Sequence, residues 1–258
     1  MGKKKKSQKT RLYSFIAGIG ALFIAVLTAG FTGIVDKATD RWMSEPADST
    51  YEVMIEPNAD VFENTAAHYV FPGVQSPEEL DNPPIDDSWK FGKVDGWARS
   101  QGRQDIGFTH VQIAITSKSL PVMLQGVEVK ILEDLESQTG VTVSSPTGGP
   151  ASVQIMAIDL KEGLLKYIAK DEYSGEHLAK VDSRGNFAYE VPTGKTELFT
   201  VAAAANGRSC SWIIKLYLLV DGKRVEKIID DDGKPFITLD PRSVPQPSYR
   251  WLNGSWTS

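Results

Sequence analysis

The sequence predicts a mainly β protein: a β-sandwich-like extracytoplasmic domain preceded by one N-terminal transmembrane α-helix. Three observations predict it. A charge-free stretch, "LYSFIAGIGALFIAVLTAGFTGIV", runs from 12 to 35. Eight to ten short apolar runs follow residue 105, several in strict alternation. Turn residues separate those runs, and no segment has a convincing amphipathic helical period.

The first element is the span. As a helix, its 23 residues from Tyr13 to Val35 reach roughly 35 Å, enough for a hydrocarbon core of about 30 Å. They include eleven Leu, Ile, Val or Phe. At the membrane centre these favour insertion by about 3 to 7 kcal/mol in total. Six basic residues lie in the first eleven positions, whereas Lys37 and Arg41 beyond the span are offset by Asp36 and Asp40. The positive-inside rule then puts residues 1–11 in the cytoplasm and the rest outside. A cleavable signal peptide has a shorter apolar region ending in an A-x-A-like site. Thr28-Ala29-Gly30 matches that poorly, so an uncleaved anchor in the cell membrane is expected.

Within the span, Ala17, Ala21, Ala25, Ala29 and Gly33 recur every fourth residue. Such a row forms a shallow ridge that lets a second helix approach closely, which makes it a packing face for a homodimer. Ala and Gly are also common in membrane helices generally, so the row alone does not establish dimerisation.

Charge divides the chain. Eight of its 28 basic and two of its 33 acidic residues fall in 1–42, which leaves 20 against 31 and a net charge of −11 in the remainder. That acidic body excludes nucleic acid as a partner, because phosphate binding needs a basic footprint.

The juxtamembrane linker spans 36–50, and the β domain 51–240, most regular from 105. Pro46, Pro57, Pro72, Pro77, Pro83 and Pro84 rule out a long helix before residue 105. "YEVMI" (51–55) and "AHYVF" (67–71) read as strands, and 75–92 as an exposed acidic loop. Beyond it, "HVQIAIT" (110–116) puts Val111, Ile113 and Ile115 on one face. "VMLQGVEVKIL" (122–132) does the same with Val127, Val129 and Ile131, and "SVQIMAIDL" (152–160) repeats the habit. Residues 175–192 read as a hairpin turning at Arg184-Gly185-Asn186. "TELFTVAAAA" (196–205), "SWIIKLYLLV" (211–220), "RVEKII" (224–229) and "FITL" (236–239) complete the set. "DLKEGLLKYIAKDEY" (159–173) is the best remaining helix. Residues 241–258 read as a C-terminal tail.

No chemistry emerges. His68, His110 and His177 are scattered, where zinc needs clustered ligands. Asp230 and Asp232 fit an EF-hand loop aligned on Gly233, but its first and twelfth positions would be Ile228 and Leu239. "PTGKT" (192–196) lacks the earlier P-loop glycine, since Tyr189 stands there. Cys210 is the single cysteine, so an intrachain disulfide is excluded, and it is expected to pack at a sheet edge beside Trp212. Asp221-Gly222 and Asp232-Gly233 both read as hairpin turns, the second as a corner of a β meander. Trp42 suits the membrane interface, and Trp89, Trp97, Trp251 and Trp256 suit lids over the ends of the sandwich. No metal, cofactor or catalytic constellation is expected.

One resemblance rests on "YVFPG" (69–73), "VMLQGVEVKI" (122–131), "SPTGG" (145–149) and the run "ELFTVAAAANGRSCSWIIKLYLLVDGKRVEKIIDDDGKPF" (197–236). Behind a basic N-terminus and one span, these resemble a group of uncharacterised single-pass membrane proteins of actinobacteria. A "CxW…DG…DDxGxPF" ending recurs in that group. Some of its members carry a second cysteine near the position of Cys210, whose neighbours here are Ser209 and Ser211. The resemblance implies a compartment and a build but no activity. The expectation is a non-enzymatic envelope protein that binds an unknown envelope protein or wall polymer. The alternatives are a carbohydrate- or peptide-binding accessory of an envelope enzyme, and a hydrolase. A flat apolar patch favours the first, and a cleft with converging acids and tryptophans favours the others.

Overall fold

Alternation and β-branched residues make strands here, and the strands sort into two sheets. The computed structural model describes residues 50–56, 68–84, 91–144, 154–169, 177–179, 181–182, 185–244, 248–252 and 254–258. All belong to one unit, Asp48–Ser258. The expected span, its small-residue row and the cleavage question lie outside the described residues.

In chain order the elements are β1 (Tyr51–Glu56), β2 (His68–Pro72), α1 (Phe91–Ser100), β3 (Gln104–Ile106), β4 (Phe108–Ser117), β5 (Val122–Asp134) and β6 (Gly140–Ser144). Then come β7 (Gln154–Asp159), β8 (Leu164–Ala169), β9 (His177–Ala179), β10 (Asn186–Val191), β11 (Thr196–Ala204) and β12 (Cys210–Val220). β13 (Lys223–Ile229), β14 (Phe236–Leu239), β15 (Ser248–Leu252) and β16 (Ser255–Thr257) finish the chain. One sheet has six strands in the order β1-β4-β11-β7-β8-β9. The other has ten, β10-β5-β12-β14-β3-β2-β6-β15-β16, with β13 paired to β12. The mainly β expectation holds.

The main core draws on both sheets. Val111, Ile113, Ile115, Phe199 and Val201 come from the first, and Val127, Val129, Trp212, Ile214 and Leu216 from the second. A smaller cluster joins Tyr69, Phe71, Val141 and Val143 to Leu80 and to Val94, Trp97 and Ala98 of α1.

Several expectations are corrected. The segment 75–92 is not simply an exposed loop: Pro77, Leu80 and Pro83 are buried, a 3-10 turn occupies Pro77–Glu79, and α1 starts at Phe91. The expected helix at 159–173 is, where it is described, the end of β7, a turn over 160–163 and β8, which pairs with β7. Residues 241–258, expected as a tail, contribute β15 and β16 to the ten-stranded sheet. Cys210 opens a central strand, paired to Asp134 on one side and Thr238 on the other, and is wholly buried.

The hairpin expected over 175–192 is a crossover. Gly185 N donates to Asp182 O at 3.0 Å, but β9 pairs with β8 in one sheet and β10 with β5 in the other. Gly185 has φ +81, and a Cβ there would meet Val127 O at 2.4 Å. Only glycine fits that crossing.

Candidate functional site

The aspartate run lies on a finger pushed out of a sheet edge. Ile229 pairs with Ile214 of β12. Two residues further along the same edge, Trp212 pairs with Phe236 instead of Asp231. The chain between leaves the ladder as an extended bulge and returns to the same strand. Asp232 and Gly233 have φ of 55° and 82°, and Asp231 and Lys234 exchange backbone hydrogen bonds of 2.7 and 3.2 Å. A tight turn at Asp232-Gly233 is therefore present, but the meander corner is not, because β13 and β14 both pair with β12. At Asp221-Gly222, φ values of 52° and 71° close the β12–β13 hairpin as expected.

The finger reaches α1. Asp231 accepts from Arg99, whose Nε also donates to Asp95 Oδ2 at 2.7 Å. Asp95 is 1% exposed. Its Oδ1 accepts from Arg103 Nη2 at 2.5 Å and from Tyr69 Oη at 3.2 Å. Arg103 also bonds Asp105 and stacks over the Tyr69 ring at 5.0 Å. Burial pushes the Asp105 carboxyl above the usual range, with Arg103 pulling the other way. Burial also raises the Tyr69 hydroxyl strongly, and Asp95 adds to it. Opposing its own burial, Asp105 and Asp95 hold the Arg103 guanidinium charged. Both oxygens of Asp95 are thus taken by donors, an arrangement that pins α1 to β2 and β3. Ile55, Phe236, Arg99 and Asp230 to Asp232 line a cavity of about 480 Å³ beside it. The Asp95–Arg99 spacing of i, i+4 was the one sequence signal for this network.

A second cavity, about 650 Å³, is lined by Leu135, Gly207, Ser209, Asp240, Arg242 and Ser243. There Arg242 donates to Asp240 at 2.7 and 2.9 Å and pulls that carboxyl down to about 2. Ser209 and Ser243 share a hydrogen bond of 2.8 Å. Among the described residues no three His, Cys, Asp or Glu side chains gather as metal ligands. Burial raises the Cys210 thiol to about 11, so it is not a thiolate at neutral pH.

Three tryptophans do converge. Trp251 and Trp256 pair across β15 and β16 with centroids 5.0 Å apart, and Trp256 lies 6.3 Å from Trp97. Trp97 Nε1 donates to Asp81 O at 3.1 Å. The group covers the smaller core. Trp42 and Trp89 lie outside the described residues.

The remaining feature is the outer face of the six-stranded sheet. Outward positions on β4 are Phe108, His110, Gln112, Ala114 and Thr116. Those on β11 are Thr196, Leu198, Thr200, Ala202 and Ala204. None carries an acid or a lysine or arginine. Burial lowers the His110 pKa to about 4, so its ring is neutral at pH 7. Ile155, Ala157 and Tyr167 extend the face over β7 and β8, and Asp159 of β7 and Glu52 of β1 lie on the same side. Met54, Phe108, Tyr167 and Leu198 are 41 to 56% exposed. Gln112, Ala114 and Thr200 at its centre are buried, and Gln112 Nε2 and Thr200 Oγ1 have no hydrogen-bond partner among the described residues.

The expected packing residues Ala17, Ala21, Ala25, Ala29 and Gly33 lie outside the described residues. Among those described, no helix is long and apolar enough to cross a membrane. No family model matches the chain, and a search of curated proteins finds no match.

Proposed function

We propose that the chain is a single-pass, N-in cell-membrane protein carrying a β-sandwich-like, non-enzymatic interaction module outside the cell. It is built like the actinobacterial group it resembles. The observation that carries the reading is the set of exposed apolar side chains on the outer face of the six-stranded sheet, Met54, Phe108, Tyr167 and Leu198. Large apolar side chains exposed together on one face mark a binding surface. An acidic body lowers the chance of contact elsewhere with acidic neighbours. The 12–35 stretch supplies the anchor.

The test uses the full chain in its membranes. Alkaline washing should leave it in the membrane pellet, and external protease should digest residues past 50 in intact cells. Leu198→Asp should abolish a crosslinked partner band that Leu132→Asp, on the other sheet, leaves intact. Release into the wash, or loss of the band in both variants, rejects the reading.

The tryptophan group favours a second reading, a carbohydrate- or peptide-binding accessory, since half-buried indoles stack on sugars and prolines. If this is right, Trp251→Ala abolishes co-sedimentation with insoluble wall material and Leu198→Asp does not.

A further inference from the structure

We propose that Trp251 and Trp256 form an aromatic corner that takes a neutral glycan chain. The proposal rests on the accessory reading above and names its ligand.

The indole N–H groups set these two residues apart. Trp97 Nε1 donates to Asp81 O at 3.1 Å, and Trp212 Nε1 to Thr238 Oγ1 at 2.9 Å. The indoles of Trp251 and Trp256 donate to nothing among the described residues, and neither nitrogen is sealed from solvent. An indole nitrogen can only donate, and one placed for packing normally finds an acceptor. Trp97 and Trp212 follow that rule, and the pair on β15 and β16 does not.

Packing separates Trp251 further. Trp97 belongs to the smaller core, and Trp256 packs against it. Trp251 is held instead by Trp256, with centroids 5.0 Å apart and planes at 74°. The two residues are direct partners across the strands, so they share one face of the hairpin. Folding accounts for Trp256. It does not account for Trp251, since a half-buried indole on the last hairpin of the sheet gains little by lying there. Two steeply inclined rings leave one wall to stack on and one to abut, with an N–H on each.

Neighbouring polar groups select the ligand. Trp97 lies 6.3 Å from Trp256, and the residue that caps its indole, Asp81, is exposed. Asp81 Oδ2 accepts from Gln101 Nε2 at 2.9 Å. Glu78 and Glu79 of the preceding turn are exposed as well. The rim therefore sets carboxylates beside the indole donors. An anionic polymer is repelled by those carboxylates. A proline-rich peptide brings carbonyl acceptors for the indoles but few donors for Asp81, because proline has no N–H. Sugar hydroxyls both donate and accept, and the C–H face of a sugar ring lies well on an aromatic one. Of the three, the neutral glycan matches both halves of the site.

Tryptophan fluorescence of the full-length chain in detergent micelles, titrated with chitohexaose, cellohexaose and maltohexaose, tests this. At least one of these neutral oligosaccharides should bind and change the emission. Trp251→Ala should weaken that binding at least about tenfold, as loss of an aromatic anchor does. Trp251→Phe keeps a ring and removes the N–H, so it should cost about threefold, and it serves as the test if the alanine variant unfolds at lower urea. Leu132→Ala, on β5, should leave binding unchanged.

No binding of any of the three, or binding that survives both Trp251 variants, overturns the proposal. Tighter binding of polygalacturonate, an anionic glycan, overturns it as well. A proline-rich peptide and insoluble wall material separate its failure from that of the accessory reading. If either binds through Trp251 while the oligosaccharides do not, the accessory reading stands and the neutral glycan falls. If no probe depends on Trp251, both fall.

Discussion

On the outer face of the ten-stranded sheet, Glu128 and Lys130 of β5, Lys215 of β12, and Arg224 and Glu226 of β13 intersperse both signs. On the corresponding face of the six-stranded sheet, β4 runs Phe108, His110, Gln112, Ala114, Thr116 with no permanent charge. Both faces lie over the same core and have the same period. The inward residues are interchangeable in kind, so folding explains the inward half of each strand and not the outward half. Lys215 pairs with Glu226 at 2.7 Å, and Tyr217 donates to Glu128, which is how a solvated face looks. The outward side chains of β4 and β11 have no such account from stability, since leaving Phe108 and Leu198 in water gains nothing.

The largest effects come from beneath the faces and test whether they share a foundation. Phe199→Ala, under the outer face of the six-stranded sheet, and Trp212→Ala, under that of the ten-stranded one, should each cost about 3 to 5 kcal/mol in urea unfolding. Both side chains are wholly buried. Trp212 should sit at the top of the range, because its Nε1 also donates to Thr238 Oγ1 at 2.9 Å. A cost below about 1 kcal/mol for either would mean that its sheet does not depend on a common core.

Next is the ion network that ties α1 to the sheet and to the finger. Asp95→Ala removes a buried partner from two guanidiniums and should cost about 3 kcal/mol, the low end for a broken buried pair. It is the low end because Arg103 keeps Asp105 and Arg99 keeps Asp231. Asp231→Ala cuts only the more exposed link and should cost about 1 kcal/mol or less. Equal costs would show that the finger, and not the helix, is the anchor.

Acid should separate the faces further. His110 has its pKa lowered to about 4 by burial, against a usual value of 6.5. Between those values the unfolded chain binds the proton and the folded ring does not, so stability falls as pH drops from about 6.5 to about 4. Asp105 works in the opposite sense: its raised pKa lets the folded state take up a proton before the unfolded chain does, which offsets part of the loss. His110→Gln should flatten the descending limb in urea titrations across that window. An unchanged slope would mean that His110 is not held neutral.

How much of this was legible follows from range. Most strands from 108 to 239 announced themselves through alternation, because the period is local; the exceptions are β6, which no alternating run marked, and β8, read as the best remaining helix. α1 did not, because Gly92 and Gly96 each cost a helix about 1 kcal/mol relative to alanine. What holds the helix is Asp95 with Arg103 and Tyr69, and Tyr69 is 26 residues away. The finger at Asp230–Asp232 showed its turn but not its setting. Asp-Gly specifies two φ angles, while the return of β14 to the edge already used by β13 depends on Trp212 and Phe236. Sheet membership misled the 175–192 reading for the same reason, since Gly185 fits a crossing as well as a hairpin. The outer face of the six-stranded sheet was not visible in "LFTVAAAA" alone, because only pairing of β11 with β4 and β7 made it a surface.

The smallest effect is the most direct test of the contrast. Lys215→Ala breaks a pair whose side chains are 22 and 33% exposed, so it should change stability by about 0.2 to 1 kcal/mol, less at high salt. Leu198→Asp adds a charge at a position 41% exposed and should shift stability by no more than about 0.5 kcal/mol. In unfolding, then, the two variants nearly coincide. In association they should diverge, with Lys215→Ala silent and Leu198→Asp disruptive, because only Leu198→Asp puts a carboxylate among the exposed apolar side chains of the six-stranded sheet. If both leave association untouched, the exposed apolar side chains of that face have no consequence for binding.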